Sequence, residues 1–274
     1  MKIDVSVIII SFNTKTLTTA CINSVVNEGS SLKKEIIIVD NGSSDGSVTA
    51  IRELISKFSK SKSTIIENER NDGFTKANNK AIKIAQGEYI LLLNSDTLVK
   101  SNSIGSMIMF AKGTKLAGVV GPKLLNPDGT VQASVFKQPT LKRAINQYWL
   151  GGKKILNKYS PNERDPVEVE MLVMAAFLIT PQAKKKVGLL DERYFMYFED
   201  HDYCRRVREA GLKVFYYPKA LVIHHHGESG KVLSDEENQW RRLIPSSKIY
   251  HGVIKHYLLN FIIWSSQKWQ RIFR

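Results

Sequence analysis

The sequence predicts an α/β fold in which helices flank a mostly parallel sheet. In the first 100 residues, short runs of β-branched and apolar residues alternate with stretches of helical character. A run that is apolar throughout, such as Val5–Ile10, is typical of a strand that is buried on both faces of a parallel sheet. Strands that alternate with helices are joined by right-handed crossovers. Ligands of such a sheet bind beyond the carboxyl ends of its strands, so the functional residues are expected there.

The elements of the first half can be placed one by one, because each strand is a short apolar run and each helix follows a polar turn. The predicted strands are 5–10, 35–40, 63–67 and 89–93. The predicted helices between them are about 16–27, 45–58 and 75–85. Ser43 or Ser44 is expected to cap the second helix, and Gly87 to follow the end of the third.

The second half has a less regular pattern. A short strand is expected to end at 121–123, and the Asn-Pro-Asp-Gly sequence at 126–129 predicts a hairpin turn. Residues 137–168 show little periodicity and are expected to form a long loop. The remaining predicted elements are a buried run at 171–179, a helix at 200–210, and two short strands, 214–217 and 220–224, that Pro218 separates.

The composition limits the class of protein. With 274 residues, 43% hydrophobic and 24% charged, the chain resembles ordinary globular proteins, which excludes disorder and fibres. Two cysteines, Cys21 and Cys204, cannot build a disulfide framework and indicate a reducing, cytoplasmic compartment. Because there is no apolar run of 18 residues, we expect no bilayer-spanning helix. Residues 1–235 are expected to form the main domain and 236–274 a C-terminal amphipathic helical extension.

The net charge of +14 favours an anionic partner: a phosphorylated substrate, a nucleic acid or an acidic membrane surface. Residues 241–274 contain seven Lys or Arg, no Asp or Glu, and several aromatic residues. Aromatic and basic residues on one helical region suit the interface of a membrane, so we expect this region to dock on the inner face of the cell membrane. In the alternative interpretation, these aromatic residues pack on the main domain or at a homodimer contact.

Polar residues follow three of the predicted strands at the point where each strand ends. These groups are Ser11-Phe12-Asn13, Asp40-Asn41-Gly42 and Asn94-Ser95-Asp96. A carboxylate at an exposed strand end, such as Asp96, can hold a divalent cation that bridges two phosphates. Asp40 can accept a hydrogen bond from a ribose hydroxyl or a base. For both residues, a plain turn or helix cap remains the alternative.

A second group of chemically active residues lies between 199 and 226. Glu199, Asp200 and Asp202 are so close in sequence that at least one of them should have a raised pKa, which suits a general base. The alternative is a helix N-terminus in which Asp202 pairs with Arg206. Because side chains alternate between the two faces of a strand, His224 and His226 share one face of a predicted strand. Either a metal site or a solvated run is expected there.

Taken together, these segments resemble the inverting, nucleotide-sugar-dependent glycosyltransferases of family two, which have the GT-A (Rossmann-like) fold, and especially the rhamnosyltransferase-like bacterial members. The resemblance extends from Val5 to about Ser229. The segments that carry it are VIIISFN at 7–13, VDNGSSDGS at 39–47, NDGF at 71–74 with Asn78, LLNSD at 92–96, FMYFEDHDYC at 195–204 and VIH at 222–224.

The resemblance implies a role for each matching residue. The residues that line the base and ribose of the nucleotide would be Phe12, Asn13, Asp40 and Asn41, and those that close over the nucleotide and sugar would be Asn71 and Asn78. Asn94, Ser95 and Asp96 occupy the place of the Asp-x-Asp motif; Asp96 would bind Mg²⁺ or Mn²⁺, and His224 would complete the metal site. Asp200 matches the catalytic base, which Glu199 and Asp202 would hold or tune.

The chain departs from the family at two points. Asn94 replaces the first Asp of the motif, which leaves one carboxylate and weakens the expected affinity for metal. Ala175-Ala176 stands where relatives show Gly-Ala, and the extra methyl group narrows the acceptor side.

The function implied by the resemblance is inverting sugar transfer from a nucleotide diphosphate donor to a hydroxyl group of a saccharide or lipid-linked acceptor, in cell-surface polysaccharide synthesis. Rhamnose is the first expectation for the sugar, with a UDP-hexose or UDP-N-acetylhexosamine donor as the alternative. An alternative of another class is a non-catalytic basic module that binds nucleotide or anionic lipid. Nucleic acid is not expected, because the acidic residues at 199–202 would repel a phosphate backbone.

Overall fold

The computed structural model describes residues 2–58, 62–225 and 240–273, and its first half is the parallel α/β unit that the sequence predicts. The strands of this half are β1 (Val5–Ser11), β2 (Lys34–Asp40), β3 (Lys62–Glu67) and β4 (Tyr89–Asn94). The helices between them are α1 (Lys15–Val26), α2 (Ser47–Ile55) and α3 (Phe74–Ile84). The strands run parallel in the order β3-β2-β1-β4, so their carboxyl ends meet at one edge.

The second half extends this sheet with strands of mixed direction. Its strands are β5 (Thr97–Val99), β6 (Ala117–Leu125), β7 (Val131–Gln132), β8 (Val135–Phe136), β9 (Val167–Val169), β10 (Met171–Leu172), β11 (Ala176–Ile179) and β12 (Lys213–His224). Antiparallel β11 joins β4 to β6, β12 follows parallel to β6, and β5 closes the edge. Strands β8 and β10 pair with each other in a separate two-stranded sheet. The hairpin predicted at 126–129 is confirmed, because β6 and β7 pair across it.

Helices cover both faces of the sheet. The remaining helices are α4 (Ser103–Gly113), α5 (Leu141–Trp149), α6 (Pro181–Val187), α7 (Glu199–Glu209), α8 (Trp240–His251) and α9 (Val253–Phe273). Alternate side chains of β1 enter two separate cores: Ile8 packs in a cluster with Phe177 and Tyr203, and Ile9 in a cluster with Ile22. A strand that is buried on both faces needs this covering, which explains its uniformly apolar sequence.

Three local predictions were wrong. The predicted loop at 137–168 contains α5, which is capped by the Thr140 hydroxyl as it accepts from the Arg143 amide. The two short strands around Pro218 are one strand, β12, with a shift in register between Tyr217 and Leu221. Neither Ser43 nor Ser44 caps α2, which begins after Gly46.

The C-terminal helices pack against the rest of the protein in different ways. In α8, Tyr250 is buried in the core cluster beside α7, and the Ser246 hydroxyl donates to the Met196 carbonyl over 2.8 Å. In contrast, α9 lies against α5, where the Ser266 hydroxyl donates to the Tyr148 carbonyl. Both helices fall in the range where the sequence predicts helix. None of the helices in the described part of the chain combines the length and the apolar content that a membrane span needs.

Candidate active site

A cavity of about 510 Å³ opens at the carboxyl ends of the parallel strands. Its wall combines the ends of β1, β2, β4 and β12 with residues 195–201, which lead into α7. The predicted site residues that line it are Phe12, Asn41, Asn71, Asn94, Ser95, Glu199, Asp200 and His224. Segments that are far apart in sequence therefore form one site, as expected for a sheet of this type.

Asn41 connects the end of β2 to the loop that precedes α3. Its side-chain amide donates to Asn71 Oδ1 and to the Gly73 carbonyl, and its own Oδ1 accepts from Asn68. Gly73 has a φ of 91°, and a Cβ at this position would lie 2.7 Å from the Phe195 ring. Only glycine therefore fits, and it lets the 71–73 loop contact the segment that carries the acidic residues.

Asp40 and Asn13 support the cavity from behind and are not among the described residues of its wall. Asp40 accepts hydrogen bonds from the backbone amide and the hydroxyl of Ser43. The Ser43 hydroxyl accepts from the Asn13 amide, and Asn13 Oδ1 accepts from the Ser44 amide. This network holds the ends of β1 and β2 together. Asn78 is also behind the wall, where its side chain donates to the Phe74 carbonyl.

Asp96 and His224 meet at the end of the sheet where β5 pairs with β12. Both are buried, and His224 Nε2 lies 3.5 Å from Asp96 Oδ1. On the other side of the imidazole, Nδ1 lies 2.7 Å from Gln132 Oε1. The Gln132 amide nitrogen donates to Asn126 Oδ1 and to the His224 carbonyl, so its oxygen must face Nδ1. Nδ1 therefore donates to Gln132, and Nε2 is directed at Asp96.

These residues fit a divalent cation that is shared with a phosphorylated ligand. Asn94 Oδ1 is buried in the site and has no hydrogen-bond partner among the described residues. The described residues contain no group of three His, Cys, Asp or Glu that could hold a metal. The candidate ligands are Asp96 and His224, with the Asn94 amide oxygen nearby in sequence, and carboxylate, amide and imidazole groups of this kind can bind a divalent cation. His226, which was predicted to share the face of His224, lies outside the described residues.

Asp200 is ionised and held in place by the residue that follows it. Its Oδ1 accepts from His201 twice, from Nδ1 over 2.7 Å and from the backbone amide over 2.8 Å. Burial alone would raise the pKa of Asp200, but His201 and, to a smaller extent, Lys158 hold this pKa below its usual value. At neutral pH the site therefore contains a carboxylate that can accept a proton.

Glu199 differs from Asp200 because its pKa is raised rather than lowered. Burial, together with the neighbouring charge of Asp200, raises the pKa of Glu199 to about 8. One of the three carboxylates therefore has the raised pKa that the sequence predicts; it is Glu199, and burial contributes more to the shift than the charge of Asp200. At neutral pH, Glu199 is mostly protonated and can donate a hydrogen bond into the cavity that it lines.

The raised pKa predicts a pH-dependent stability effect of Glu199→Gln. The folded state holds the Glu199 proton more tightly than the unfolded state, whose pKa is 4.5. The stability that this provides is fully present below pH 4.5 and is lost as the pH rises through 8. The difference in unfolding free energy, variant minus wild type, should be larger at pH 8 than at pH 5 by more than about 1 kcal/mol. This follows because one pKa unit corresponds to about 1.4 kcal/mol. Urea unfolding at both pH values measures this, and equal shifts in the two proteins would contradict it.

Asp202 is directed to the helix rather than to the cavity. It is 2% exposed, and its carboxylate pairs with Arg205 Nη2 at 2.6 Å and with Arg206 Nε at 2.7 Å. The ion pair with Arg206 that the sequence predicts is confirmed. This pairing fixes the first turns of α7 and thus the position of Asp200.

Four residues of the site were missed in the sequence: His201, Lys158 and Phe136, which line the cavity, and Gln132, which contacts His224. His201 packs between the rings of Phe136 and Phe198, with ring centroids at 4.6 and 5.3 Å. Lys158 Nζ lies 5.5 Å from the centre of the Phe136 ring. The acidic neighbours of His201 were a local signal, whereas Lys158 and Phe136 lie in a stretch without recognisable periodicity.

The sequence of the chain is similar to those of known glycosyltransferases. The profile of the family described as glycosyl transferase family 2 matches residues 6–174. The N-acetylglucosaminyl-diphospho-decaprenol L-rhamnosyltransferase of Mycobacterium tuberculosis is 28% identical over 212 residues, which is 71% of this chain and 67% of that enzyme. The poly(ribitol-phosphate) beta-glucosyltransferase of Bacillus spizizenii is 29% identical over 78% of this chain, which spans only 34% of that enzyme.

Solved structures confirm the predicted GT-A fold. The mannosyltransferase PcManGT from Pyrobaculum calidifontis, in complex with GDP-Man and Mn²⁺, superposes with a TM-score of 0.65 at 15% identity. The match covers 98% of this chain and 74% of that chain. The family profile extends over more than half of the 274 residues, including the ends of β1, β2 and β4 at the cavity. The chain belongs to glycosyl transferase family 2.

Proposed function

We propose that the protein transfers a sugar, with rhamnose as the first candidate, from a nucleoside diphosphate donor to a hydroxyl group of a saccharide or lipid-linked acceptor, with inversion at the anomeric carbon. The observation that carries the proposal is the pairing of two chemistries in one cavity. An ionised Asp200 and a His224 that contacts Asp96 both border the space at the strand ends. Asp200 suits removal of a proton from the acceptor. Asp96 and His224 suit a cation that binds the diphosphate of the donor.

The proposed reaction is a single displacement. Asp200 takes the proton of the acceptor hydroxyl while the oxygen forms its bond to the anomeric carbon. The bond from that carbon to the diphosphate oxygen breaks on the opposite face, and the electron pair leaves with the diphosphate. Because His201 occupies Asp200 Oδ1, the proton is assigned to Oδ2. No covalent sugar–enzyme intermediate is needed.

The donor side of the cavity is assigned to residues near the strand ends. Asn41 and Asn71 face the nucleotide, and Phe12 offers an apolar surface to its base. Asp96 and His224 are the proposed ligands of the cation. When bound there, Mg²⁺ or Mn²⁺ supplies positive charge beside the departing diphosphate. Mn²⁺ in the complex of the similar mannosyltransferase supports this assignment.

The donor is tested with a panel of nucleotide-sugars. The rhamnosyltransferase of M. tuberculosis supports rhamnose, and the B. spizizenii glucosyltransferase keeps a hexose open as the alternative. We expect dTDP-rhamnose to bind most tightly among dTDP-rhamnose, UDP-glucose, UDP-N-acetylglucosamine and GDP-mannose, in calorimetry with Mn²⁺. Tighter binding of a UDP-sugar would select the alternative donor. If the protein neither binds nor hydrolyses any of the four nucleotide-sugars, the alternative of a non-catalytic module is favoured.

Gln132 is expected to control the metal site through His224. Gln132→Leu removes the acceptor that keeps the proton on His224 Nδ1, so affinity for Mn²⁺ should fall by roughly 10–100-fold, as for other outer-shell partners. Gln132→Glu retains an acceptor for Nδ1 but loses the amide that donates to Asn126 and to the His224 carbonyl, so it should bind Mn²⁺ more tightly than the Leu variant. Titration of Mn²⁺ in the presence of the donor, followed by electron paramagnetic resonance, measures the affinity. Equal affinities of the Leu variant and the wild type would refute the role, and the loss should vanish in a His224→Ala background.

A further inference from the structure

The outward side of α9 is apolar. Its inward residues, His256, Leu259 and Ser266, are buried toward α5. On the opposite side, Ile254 is 79% exposed and Phe261 61% exposed. A spacing of three or four residues places the exposed apolar side chains on one stripe: Ile254, Tyr257, Leu258, Phe261, Trp264 and Ile272. A surface helix normally shows the reverse arrangement, with its polar side outward.

Helix α5 enlarges this stripe into a continuous surface. The indole of Trp149 donates to the Ile262 carbonyl, and its ring centre lies 6.3 Å from that of Trp269. Trp149 and the adjacent Leu150 remain exposed. We call this surface the α5–α9 face, defined by Ile145, Trp149, Leu150, Trp269 and the six residues of the stripe. Contiguous apolar surfaces of this kind mark an interaction site.

The segments of the chain that contain α5 and α9 carry basic residues and no acidic ones. Residues 241–274 contain seven Lys or Arg and no Asp or Glu, and residues 137–162 contain six Lys or Arg and no Asp or Glu. Lys268 Nζ lies 5.8 Å from the centre of the Trp264 ring, so positive charge and aromatic surface are interleaved. In a twofold contact between two copies the same surface would meet itself, and these charges would repel. An anionic partner is complementary to them.

We propose that the α5–α9 face docks on the surface of an anionic lipid bilayer. The apolar stripe enters the boundary between headgroups and acyl chains, while the Lys and Arg residues contact the headgroups. Trp and Tyr suit this depth because one end of each ring system is apolar and the other forms hydrogen bonds. The helix lies in the plane of the surface and does not cross the bilayer, in agreement with the lack of a spanning helix among the described residues.

The docking surface is connected to the cavity by α8. Leu243 of α8 lines the cavity, and Gly252 joins α8 directly to α9. A protein that is held by the α5–α9 face thus keeps its cavity next to the membrane. A cavity next to the membrane favours a lipid-linked hydroxyl as the acceptor, and this part of the inference rests on the proposed function. The docking itself does not depend on the chemistry.

The test is sedimentation of the full chain with vesicles. We expect binding to phosphatidylglycerol–phosphatidylcholine vesicles at low salt, release at high salt, and little binding to phosphatidylcholine alone. The triple variant Ile254→Ser/Phe261→Ser/Trp264→Ser should bind about tenfold more weakly or worse, because it removes three apolar side chains from the face. Lys255→Glu/Lys268→Glu/Arg271→Glu should lose the preference for anionic vesicles. Met109→Ser, which removes an equally exposed apolar side chain on α4, is the control and should bind like the wild type.

Two results would overturn the proposal. Wild-type protein that ignores anionic vesicles at low salt, or a triple Ser variant that binds them like the wild type, would exclude membrane docking through this face. If the wild type does not bind vesicles but is a dimer in sedimentation equilibrium, and the triple Ser variant is a monomer, the face is a subunit contact. Nucleotide-sugar binding is measured for every variant in parallel. Its retention shows that the fold is intact, and its absence in the wild type would count against the proposed function and not against docking.

Discussion

Asp200→Asn is expected to reduce kcat by roughly 10²–10⁴-fold, the usual cost of losing a general base. The Asn side chain keeps an oxygen that can accept from His201 but cannot take a proton from the acceptor. The fold and the affinity for the nucleotide-sugar should therefore stay nearly unchanged. Initial rates at saturating donor, with donor affinity from calorimetry, measure the two effects separately.

The control for this variant is Asp165→Asn, which removes an equally charged but exposed carboxylate that pairs with Lys219. It should retain wild-type turnover. Near-normal turnover of Asp200→Asn would transfer the role of the base to a neighbour. Comparison with Glu199→Gln would then show whether Glu199, despite its raised pKa, is that neighbour.

Asp96→Ala is expected to abolish metal-dependent binding of the donor. Asp96 is the buried carboxylate at the proposed cation site, so its loss should exceed the roughly 10–100-fold that an outer-shell substitution costs. His224→Ala should act in the same direction, and excess chelator should reproduce both effects in the wild type. Donor titrations with and without Mn²⁺ measure this.

Asp128→Ala is the matched control, because Asp128 is an exposed carboxylate in the turn between β6 and β7. It should leave the metal dependence intact. If the wild type kept full activity in excess chelator, the role of the cation would be refuted. The assignment to glycosyl transferase family 2 would remain, since it rests on the match over residues 6–174.

The parallel half of the sheet could be predicted because its strands carry their signal locally. β1 and β4 are apolar along almost their whole length, which a strand between two layers of helices requires. Helix α5 could not be predicted in the same way. Its Trp149 contacts Ile262 of α9, which lies 113 residues later in the chain, and much of its surface is exposed. The Thr140 cap is a local signal for this helix, whereas its contact with α9 is not.

The candidate site shows the same division. Asn41 and Asn94 could be placed in it because strand ends of a parallel sheet converge. Gln132 could not, because it lies on the two-residue strand β7 and reaches His224, 92 residues away, only after the hairpin has formed. Which of the three carboxylates has the raised pKa also depends on burial and on the contact of Asp200 with His201, neither of which the sequence alone contains.

The close contact of Gly73 with Phe195 has a thermodynamic consequence. The Phe74 amide also donates to the Phe195 carbonyl over 2.8 Å, and the Thr75 hydroxyl donates to the Tyr194 carbonyl. The 71–73 loop, on the proposed nucleotide side, and the loop that leads to Asp200 are thus joined by these contacts. If a ligand on one side moves its loop, the conformational free energy is shared with the other side. By reciprocity, donor and acceptor must then change each other's affinity by the same factor.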